Sequence, residues 1–207
     1  MNSVAMMLML LDQKDDFEAI FVDHGTDWPE TYEYFDMFQG WLKDRGHRQI
    51  TVLRPTETAY GEAFQNLYDY AFAYSMVPRR RPRWCTAKFK LKPIVTYVEK
   101  PCFMMIGIDS GEINRAEISY EDGIENRWPL IENEINRAGC EEIIKAHGLP
   151  IPMKSGCYIC PFQKKSQWIS LRKNHPCLFK KAVELENKNN KYRALKNKKP
   201  TSLKTIA

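Results

Sequence analysis

The chain has 207 residues, of which 43% are hydrophobic and 28% charged, and a formal net charge of +5. This composition is that of a folded globular protein and excludes wholesale disorder, and no apolar run is long enough to span a membrane. The length suits one sizeable core, and the apolar start lacks the basic residues and cleavage site of a signal peptide, so we expect a cytoplasmic protein.

The first half of the chain alternates apolar helical segments with short buried strands. Residues 2–11 are apolar almost all round, which is typical of a helix buried in a larger structure. Residues 19–23 predict a strand that ends in a loop at Gly25. Asp27 is placed to cap the next helix, and residues 50–53 predict the second strand.

Further segments continue the predicted α/β pattern. The aromatic-rich residues 61–74 show helical periodicity, residues 78–83 form a dense positive loop, and residues 90–99 predict another helix. Residues 103–108 predict a third buried strand that ends in polar residues. Strands that alternate with helices at this spacing predict a parallel, Rossmann-like sheet with helices on both faces.

Two polar segments follow strands of this predicted sheet. Ligands of such sheets bind beyond the carboxyl ends of the strands. We therefore expect residues 23–27 and 109–115 to lie on one rim of the sheet.

The C-terminal part predicts a helical module that carries the cysteines. Helical segments flank a cysteine turn, and the Lys- and Asn-rich residues from Lys188 onward predict a weakly ordered basic tail. The predicted organisation is an α/β domain over residues 1–128, a helical cysteine module packed on it over residues 129–187, and a tail over residues 188–207.

Cysteine spacing gives the strongest local signal. Cys157 and Cys160 stand three residues apart in a tight turn that leads into a helix. This pair fits a zinc or iron–sulfur ligand set, a dithiol redox pair, or two small apolar side chains in a core. Cys85 is a further candidate ligand, whereas Cys102 and Cys140 stand next to core-like runs and are interpreted as core residues.

Several separated segments together resemble the phosphoadenosine phosphosulfate reductase family of the adenine nucleotide alpha-hydrolase (PP-loop) superfamily, in its bacterial and phage form with a C-terminal C-x-x-C module. The similarity extends over nearly the whole chain, and the order and spacing of the segments are more specific than any one of them. The matching segments are Asn2-Ser3, Phe21-Val22-Asp23-His24-Gly25, Trp84-Cys85-Thr86-Ala87-Lys88-Phe89-Lys90, Gly107-Ile108 with Glu112 and Arg115, and Ser155 to Gln163.

The resemblance implies a site for ATP or an adenylyl sulfate with Mg²⁺. In it, Ser3, Asp23, Gly25 and Lys90 would bind the nucleotide and its metal ion, and Lys88, Glu112 and Arg115 would be catalytic. A helix N-terminus and basic side chains bind phosphate groups well. Cleavage at an α-phosphate requires mainly that the reactants are positioned and that the negative charge of the phosphates is neutralised. Glu112 fits equally well as the ion-pair partner of Arg115.

The resemblance also implies that Cys85, Cys157 and Cys160 converge. Three thiolates hold a 4Fe-4S cluster with one open iron, or zinc with a fourth ligand. Cys177 is the fourth candidate, and its alternative interpretation is a small buried residue at the start of the last helix.

The sequence departs from the family in two places. The strand and glycines that precede the phosphate-binding helix are absent before Asn2, so we expect further residues upstream of Met1. The Glu-Cys-Gly-type motif of the reductases is absent near the C-terminus, and this favours adenylation or sulfur transfer over reduction.

The leading hypothesis is an ATP-dependent adenylating or sulfur-transferring enzyme with a metal or iron–sulfur centre, acting on nucleic acid. Binding to nucleic acid is expected through the basic tail and the loop arginines, which are Arg79, Arg80, Arg81 and Arg83. The alternative interpretation of these arginines is a solvated positive loop. The alternatives are a sulfonucleotide reductase and a non-catalytic nucleotide-binding or metal-stabilised module of a phage or defence complex. Whether the chain forms a homodimer is left open.

Overall fold

The computed structural model describes residues 1–59, 62–116, 121–196 and 198–199. Helices dominate these residues, and none of them is both long and apolar enough to cross a membrane. The helices are α1 (Asn2–Asp12), α2 (Pro29–Asp44), α3 (Leu67–Ala73), α4 (Trp84–Thr86), α5 (Lys92–Tyr97), α6 (Pro129–Glu132), α7 (Arg137–Ala146), α8 (Lys165–Asn174) and α9 (Pro176–Leu195). A π-helical segment (Ala87–Leu91) joins α4 to α5, and a 3₁₀ segment covers Ser110–Arg115.

Six short strands among the described residues form three two-stranded sheets. β1 (Ile20–Val22) pairs with β2 (Thr51–Leu53). The Thr51 N–H donates to Ala19 O, and the Asp23 N–H donates to Leu53 O. In both strands the second bond lies further toward the C-terminus than the first, so the pair is parallel. β5 (Cys102–Met105) and β6 (Ile124–Arg127) are also parallel. β3 (Glu57–Ala59) and β4 (Glu62–Phe64) form an antiparallel hairpin.

The α/β class and the parallel pairing are therefore confirmed. The helix α2 connects β1 to β2, which is the connection that a parallel pair needs. Over the described residues the strands form separate pairs rather than one continuous sheet. The Rossmann-like sheet and the C-terminal cysteine module remain predictions.

Two predicted segments differ from the structure. The helix predicted at residues 61–74 is replaced by the end of the β3–β4 hairpin and the shorter α3, because Phe64 packs against buried aromatic residues instead of continuing a helix. The tail predicted from Lys188 is helical through Leu195, because Leu185 and Asn189 of α9 are buried and Lys188 lies over the Phe72 ring.

The chain divides into two compact units that are discontinuous in sequence, and the predicted boundary between residues 128 and 129 falls within the first. The first unit comprises Met1–Ala19, Tyr34–Thr51 and Tyr97–Ser155, and the second comprises Ile20–Glu33, Val52–Thr96 and Gly156–Ala207.

Each unit has its own hydrophobic core. In the first unit, α1 is buried along most of its length, which explains its nearly uniform apolar sequence. Its core includes Ala5, Leu8, Phe38, Leu42, Leu130, Cys140 and Ile144. The core of the second unit is richer in aromatic residues and includes Trp28, Tyr70, Phe89, Tyr158, Ile159, Trp168, Leu171 and Leu185.

Candidate functional site

The cysteine turn of the second unit is hydrogen-bonded to the loop that follows β1. The backbone N–H of Trp28 donates to Gly156 O at 3.0 Å, and the N–H of Tyr158 donates to Thr26 O at 2.9 Å. Asp27 and Cys157 lie between them as an antiparallel bridge. Two segments separated by about 130 residues are thereby held side by side, and Cys157 lies next to the loop at the carboxyl end of β1.

Backbone groups of the turn act on both thiols. The backbone of Ile159 works to lower the pKa of Cys157, and the backbone of Phe162 works to lower the pKa of Cys160. The Thr26 hydroxyl also lies 3.1 Å from Cys157 Sγ. Burial nevertheless raises the pKa of the Cys157 thiol to about 12, so without a bound cation this residue is a neutral thiol at neutral pH.

Cys85, in α4, is an electrostatic neighbour of Cys160. Burial raises the pKa of Cys160, while Lys90 and Arg83 lie close enough to work in the opposite direction. Cys160 thus interacts electrostatically with both Cys85 and Cys157. Over the described residues, no set of three or more His, Cys, Asp or Glu side chains is already arranged to hold a metal ion.

The other three cysteines differ in burial. Cys177 is exposed in the first turn of α9, so its interpretation as a buried residue is wrong. Cys140 is fully buried in the core of the first unit, as its interpretation as a core residue requires. Cys102 is half-buried in β5 of the same unit.

Asp23 and Gly25 lie at the carboxyl end of β1. The Asp23 carboxylate accepts hydrogen bonds from the Gly25 N–H and the Tyr32 hydroxyl, both at 3.0 Å, and lies 3.5 Å from Arg54 Nε. Gly25 has a φ of +71°, and a β-carbon there would lie 2.5 Å from Asn66 Nδ2. The strand end thus presents a fixed carboxylate beside a backbone position that favours glycine.

A buried histidine that the sequence interpretation did not use connects this loop to Cys157. His24 is fully buried, its Nδ1 lies 2.8 Å from Thr26 Oγ1, and its Nε2 lies 3.5 Å from Asp27 Oδ2. Burial lowers the pKa of His24, while Asp27 opposes that effect. The signal was present as a run of polar residues directly after a buried strand, but only the fold shows that the run reaches Cys157.

The two predicted lysines have different surroundings. Lys88 Nζ lies 3.0 Å from Glu57 Oε2, and Lys92 Nζ lies 2.7 Å from Glu57 Oε1. Lys90 is exposed and has no acidic partner within ion-pair distance among the described residues. Glu57 was not predicted, because nothing in a strand-length segment indicates which cation it will meet. The charge of Lys88 is thus balanced within the protein, and that of Lys90 is not.

Ser3 lies in the first unit, exposed at the start of α1. A β-carbon on Gly107 would lie 2.8 Å from the Ser3 backbone nitrogen, so the backbone after β5 approaches the helix N-terminus closely. The Asn2 side chain donates to Asp109 Oδ2 at 2.7 Å. The N-terminus of a helix is a favourable place for an anion, and the role of Ser3 in binding phosphate stays a prediction.

Glu112 and Arg115 also lie in the first unit, in the 3₁₀ segment. Arg115 Nη1 donates to Glu112 Oε2 at 2.5 Å, and the two side chains are 65% and 43% exposed. This contact is the ion pair that was the alternative to a catalytic role for Glu112. The remaining predicted site residues, Asp23, Gly25, Lys88, Lys90 and the four cysteine ligands, belong to the second unit.

The first unit has two cavities, and no predicted site residue lines either of them. One of about 250 Å³ is lined by residues that include Leu11, Asp15, His47 and Arg48. The other, of about 170 Å³, is lined by residues that include Phe103 and Glu132. Both are shallow and open, and the chemistry of the cysteine turn is a stronger indication of function than either volume.

Comparisons with known proteins give one relative. No family model matches the chain, and no solved structure matches it. An uncharacterized protein of Methanocaldococcus jannaschii is 23% identical over 197 residues, covering 83% of this chain and 42% of the relative. The chain therefore spans less than half the length of the curated relative that it matches.

Proposed function

We propose that the protein is an enzyme of the adenine nucleotide alpha-hydrolase type, similar to the phosphoadenosine phosphosulfate reductases, that uses ATP to adenylate or thiolate a substrate. The observation that supports it is the direct hydrogen bonding between the loop after β1 and the cysteine turn. In the second unit this places the predicted nucleotide residues Asp23 and Gly25 and the predicted metal ligand Cys157 on neighbouring segments.

The nucleotide part of the proposal uses fixed charges at the ends of elements. Asp23 Oδ1 is oriented by Tyr32 and the Gly25 N–H, and Asp23 Oδ2 would hold Mg²⁺ or a ribose hydroxyl once Arg54, 3.5 Å away, moves aside. Lys90 keeps an unbalanced positive charge for a phosphate, whereas Lys88 would first have to leave Glu57. The parallel pairs β1–β2 and β5–β6 support the Rossmann-like sheet that the proposal includes.

The metal part rests on the chemistry of the sulfur donors. The backbones of Ile159 and Phe162 work to lower the pKa values of Cys157 and Cys160, and a bound cation would overcome the burial that keeps Cys157 protonated. Cys85 would be the third ligand and Cys177 the fourth candidate. An open iron of a 4Fe-4S cluster would carry sulfur for transfer, and zinc would stabilise the turn. A cytoplasmic location, where thiols stay reduced, completes the proposal.

Metal analysis of anaerobically purified protein, with a visible absorption spectrum, tests this part. We expect either a broad, bleachable iron–sulfur band or stoichiometric zinc, lost in Cys157→Ala and Cys160→Ala because each removes a ligand. The control is Cys102→Ala, which removes a cysteine of the first unit and should keep the metal. Metal content that is absent in the wild type, or unchanged in Cys157→Ala, would refute the metal centre.

The same preparations separate the nucleotide part from the metal part. With ATP, Mg²⁺ and a thiol reductant but no substrate, water takes the adenylyl group, so we expect AMP and pyrophosphate to form in equal amounts, and Asp23→Asn to suppress this release while keeping the metal. ATP binding without turnover would favour the non-catalytic module, and sulfite release from an adenylyl sulfate would favour the reductase.

A further inference from the structure

An exposed aromatic ring at the cysteine turn carries two arginines. Phe162 follows the turn and is 48% exposed. The guanidinium carbon of Arg80 lies 5.1 Å from the ring centroid, and that of Arg83 lies 5.5 Å from it. Both distances are those of cation–π contacts. The basic loop predicted at residues 78–83 is therefore not a separate solvated segment, because it packs its cations around one aromatic ring.

The cations of this surface lack acidic partners. Arg80, Arg81, Arg83 and Lys90 are all exposed, and among the described residues none lies within ion-pair distance of a carboxylate. Arg83 and Lys90 both act electrostatically on Cys160, so the cations border the cysteine turn. We call Phe162 together with Arg80, Arg83 and Lys90 the Phe162 platform. Its charge is unbalanced within the protein, and this indicates an anionic ligand.

The distribution of the cations and the exposed ring of the platform favour one class of anionic ligand over others. A free nucleotide carries its phosphates at one end, whereas these cations are distributed over a loop and a helical segment. An acidic peptide has no flat face for the Phe162 ring, and a nucleic acid duplex hides its base faces in the stack. An unpaired stretch of nucleic acid offers both a repeating negative charge and free base faces.

We propose that the Phe162 platform binds single-stranded nucleic acid, with a base on the Phe162 ring and phosphates at the surrounding arginines. This inference rests on the proposed function in one respect, since it identifies the substrate of the site at the cysteine turn. The bound strand would lie beside Cys160, next to the predicted metal ligands of the turn.

Fluorescence anisotropy with the full chain tests the proposal. The probes are labelled RNA and DNA single strands of roughly 12 nucleotides, and the corresponding duplex. Titrations run with EDTA and without ATP, so that binding depends on neither metal nor nucleotide. We expect the single strands to bind more tightly than the duplex, and affinity to fall with salt by about 0.7 logarithmic units per phosphate contact and decade of salt. A preference for RNA or for DNA would identify the sugar that the surface prefers, and equal binding would show that it does not distinguish the two. Each of these results supports the proposal.

Variants separate stacking from charge. Phe162→Ala should weaken single-strand binding by about five-fold or more with an unchanged salt slope, because base stacking on an aromatic ring is lost. Phe162→Trp should retain the binding. Arg83→Gln should lower the salt slope by about 0.7. The matched controls lie in the first unit: Phe103→Ala, an exposed ring under Arg127, and Arg45→Gln, an exposed arginine over Trp41, should change nothing.

Binding that is absent, insensitive to salt, equal for duplex and single strand, or unaffected by Phe162→Ala would overturn the proposal. Thermal unfolding of each variant excludes misfolding as the cause of a loss. Failure here leaves the metal content and ATP turnover of the same preparations intact, so it can be distinguished from failure of the proposed function.

Discussion

Gly25 lies in the loop after β1 with its α-carbon against the Asn66 side chain. Asn66 donates its amide to Gly25 O at 3.0 Å and also caps α3 by accepting from the Tyr68 N–H at 2.7 Å. A single asparagine therefore holds the loop that follows Asp23 and starts a helix. The φ of +71° at Gly25 keeps the loop compact enough for this contact.

Gly25→Ala should destabilise the protein by roughly 1–3 kcal/mol, because a β-carbon disfavours positive φ and would meet the Asn66 side chain. Denaturant unfolding measures the change. The control is Gly40→Ala in the exposed interior of α2, where nothing lies within 4 Å of the added carbon. That substitution should stabilise by about 0.5–1 kcal/mol. Equal effects of the two substitutions would show that the loop conformation is not required.

A chain of polar contacts runs from Asp27 through His24 and Thr26 to Cys157, and in it one side chain again contacts two partners. His24 Nδ1 and Cys157 Sγ both contact the Thr26 hydroxyl, at 2.8 Å and 3.1 Å. One hydroxyl thus satisfies a buried ring nitrogen and a buried sulfur, which would be costly to leave without partners. The orientation of Cys157 is set by residues 130 positions earlier in the chain.

At the scale of elements, Glu57 joins the β3–β4 hairpin to the helical segment Trp84–Tyr97. Its side chain is 6% exposed and accepts from Lys88 and Lys92, which are 43% and 62% exposed. Burial works to raise the pKa of Glu57, but the hydrogen bonds from Lys92 and Lys88 outweigh it and hold the pKa below its ordinary value. The pair of lysines therefore stabilises the ionised carboxylate.

Glu57→Gln should lower the free energy of unfolding at pH 7 by about 1.5 kcal/mol, because the charged hydrogen bonds to both lysines are lost. This value is the lower end for hydrogen bonds to charged groups, since both lysines are exposed enough to be solvated by water instead. Since the folded pKa of Glu57 lies below the ordinary value of 4.5, its contribution is complete above that pH and is lost as the pH falls through the folded pKa.

Urea unfolding at several pH values between neutral and acidic measures this dependence. The difference between wild type and Glu57→Gln should therefore shrink in acid. Glu62→Gln, on the exposed side of the neighbouring strand β4, should have little effect at any pH. A difference that grows as the pH falls would contradict the assigned sign.

At the scale of the whole molecule, the chain builds two hydrophobic cores from interleaved segments. Leu8 of α1 and Leu185 of α9 are both fully buried, the first in the core of the first unit and the second in that of the second. Each core collects residues from distant parts of the sequence. Stability of either unit therefore depends on contacts between segments far apart in the chain.

Leu8→Ala and Leu185→Ala should each cost about 2–5 kcal/mol, since each removes a buried side chain and leaves a cavity. Hydrogen exchange should show the larger loss of protection in the unit that carries the substitution. Leu195→Ala, at a position that is 83% exposed, should stay within about 0.5 kcal/mol. Equal loss of protection in both units after either core substitution would show one cooperative core.

The sequence alone determined what depends on neighbours along the chain. Four elements follow from periodicity and turn residues that act over a few positions. They are the apolar α1, the helix α2 that ends before Gly46, the strand before Asp23 and the tight turn at Cys157. Only the tertiary structure decided which distant groups meet. It paired Lys88 with Glu57, joined Cys157 to Thr26 and extended α9 through Leu195, because these contacts arise only when separate segments pack and exclude water.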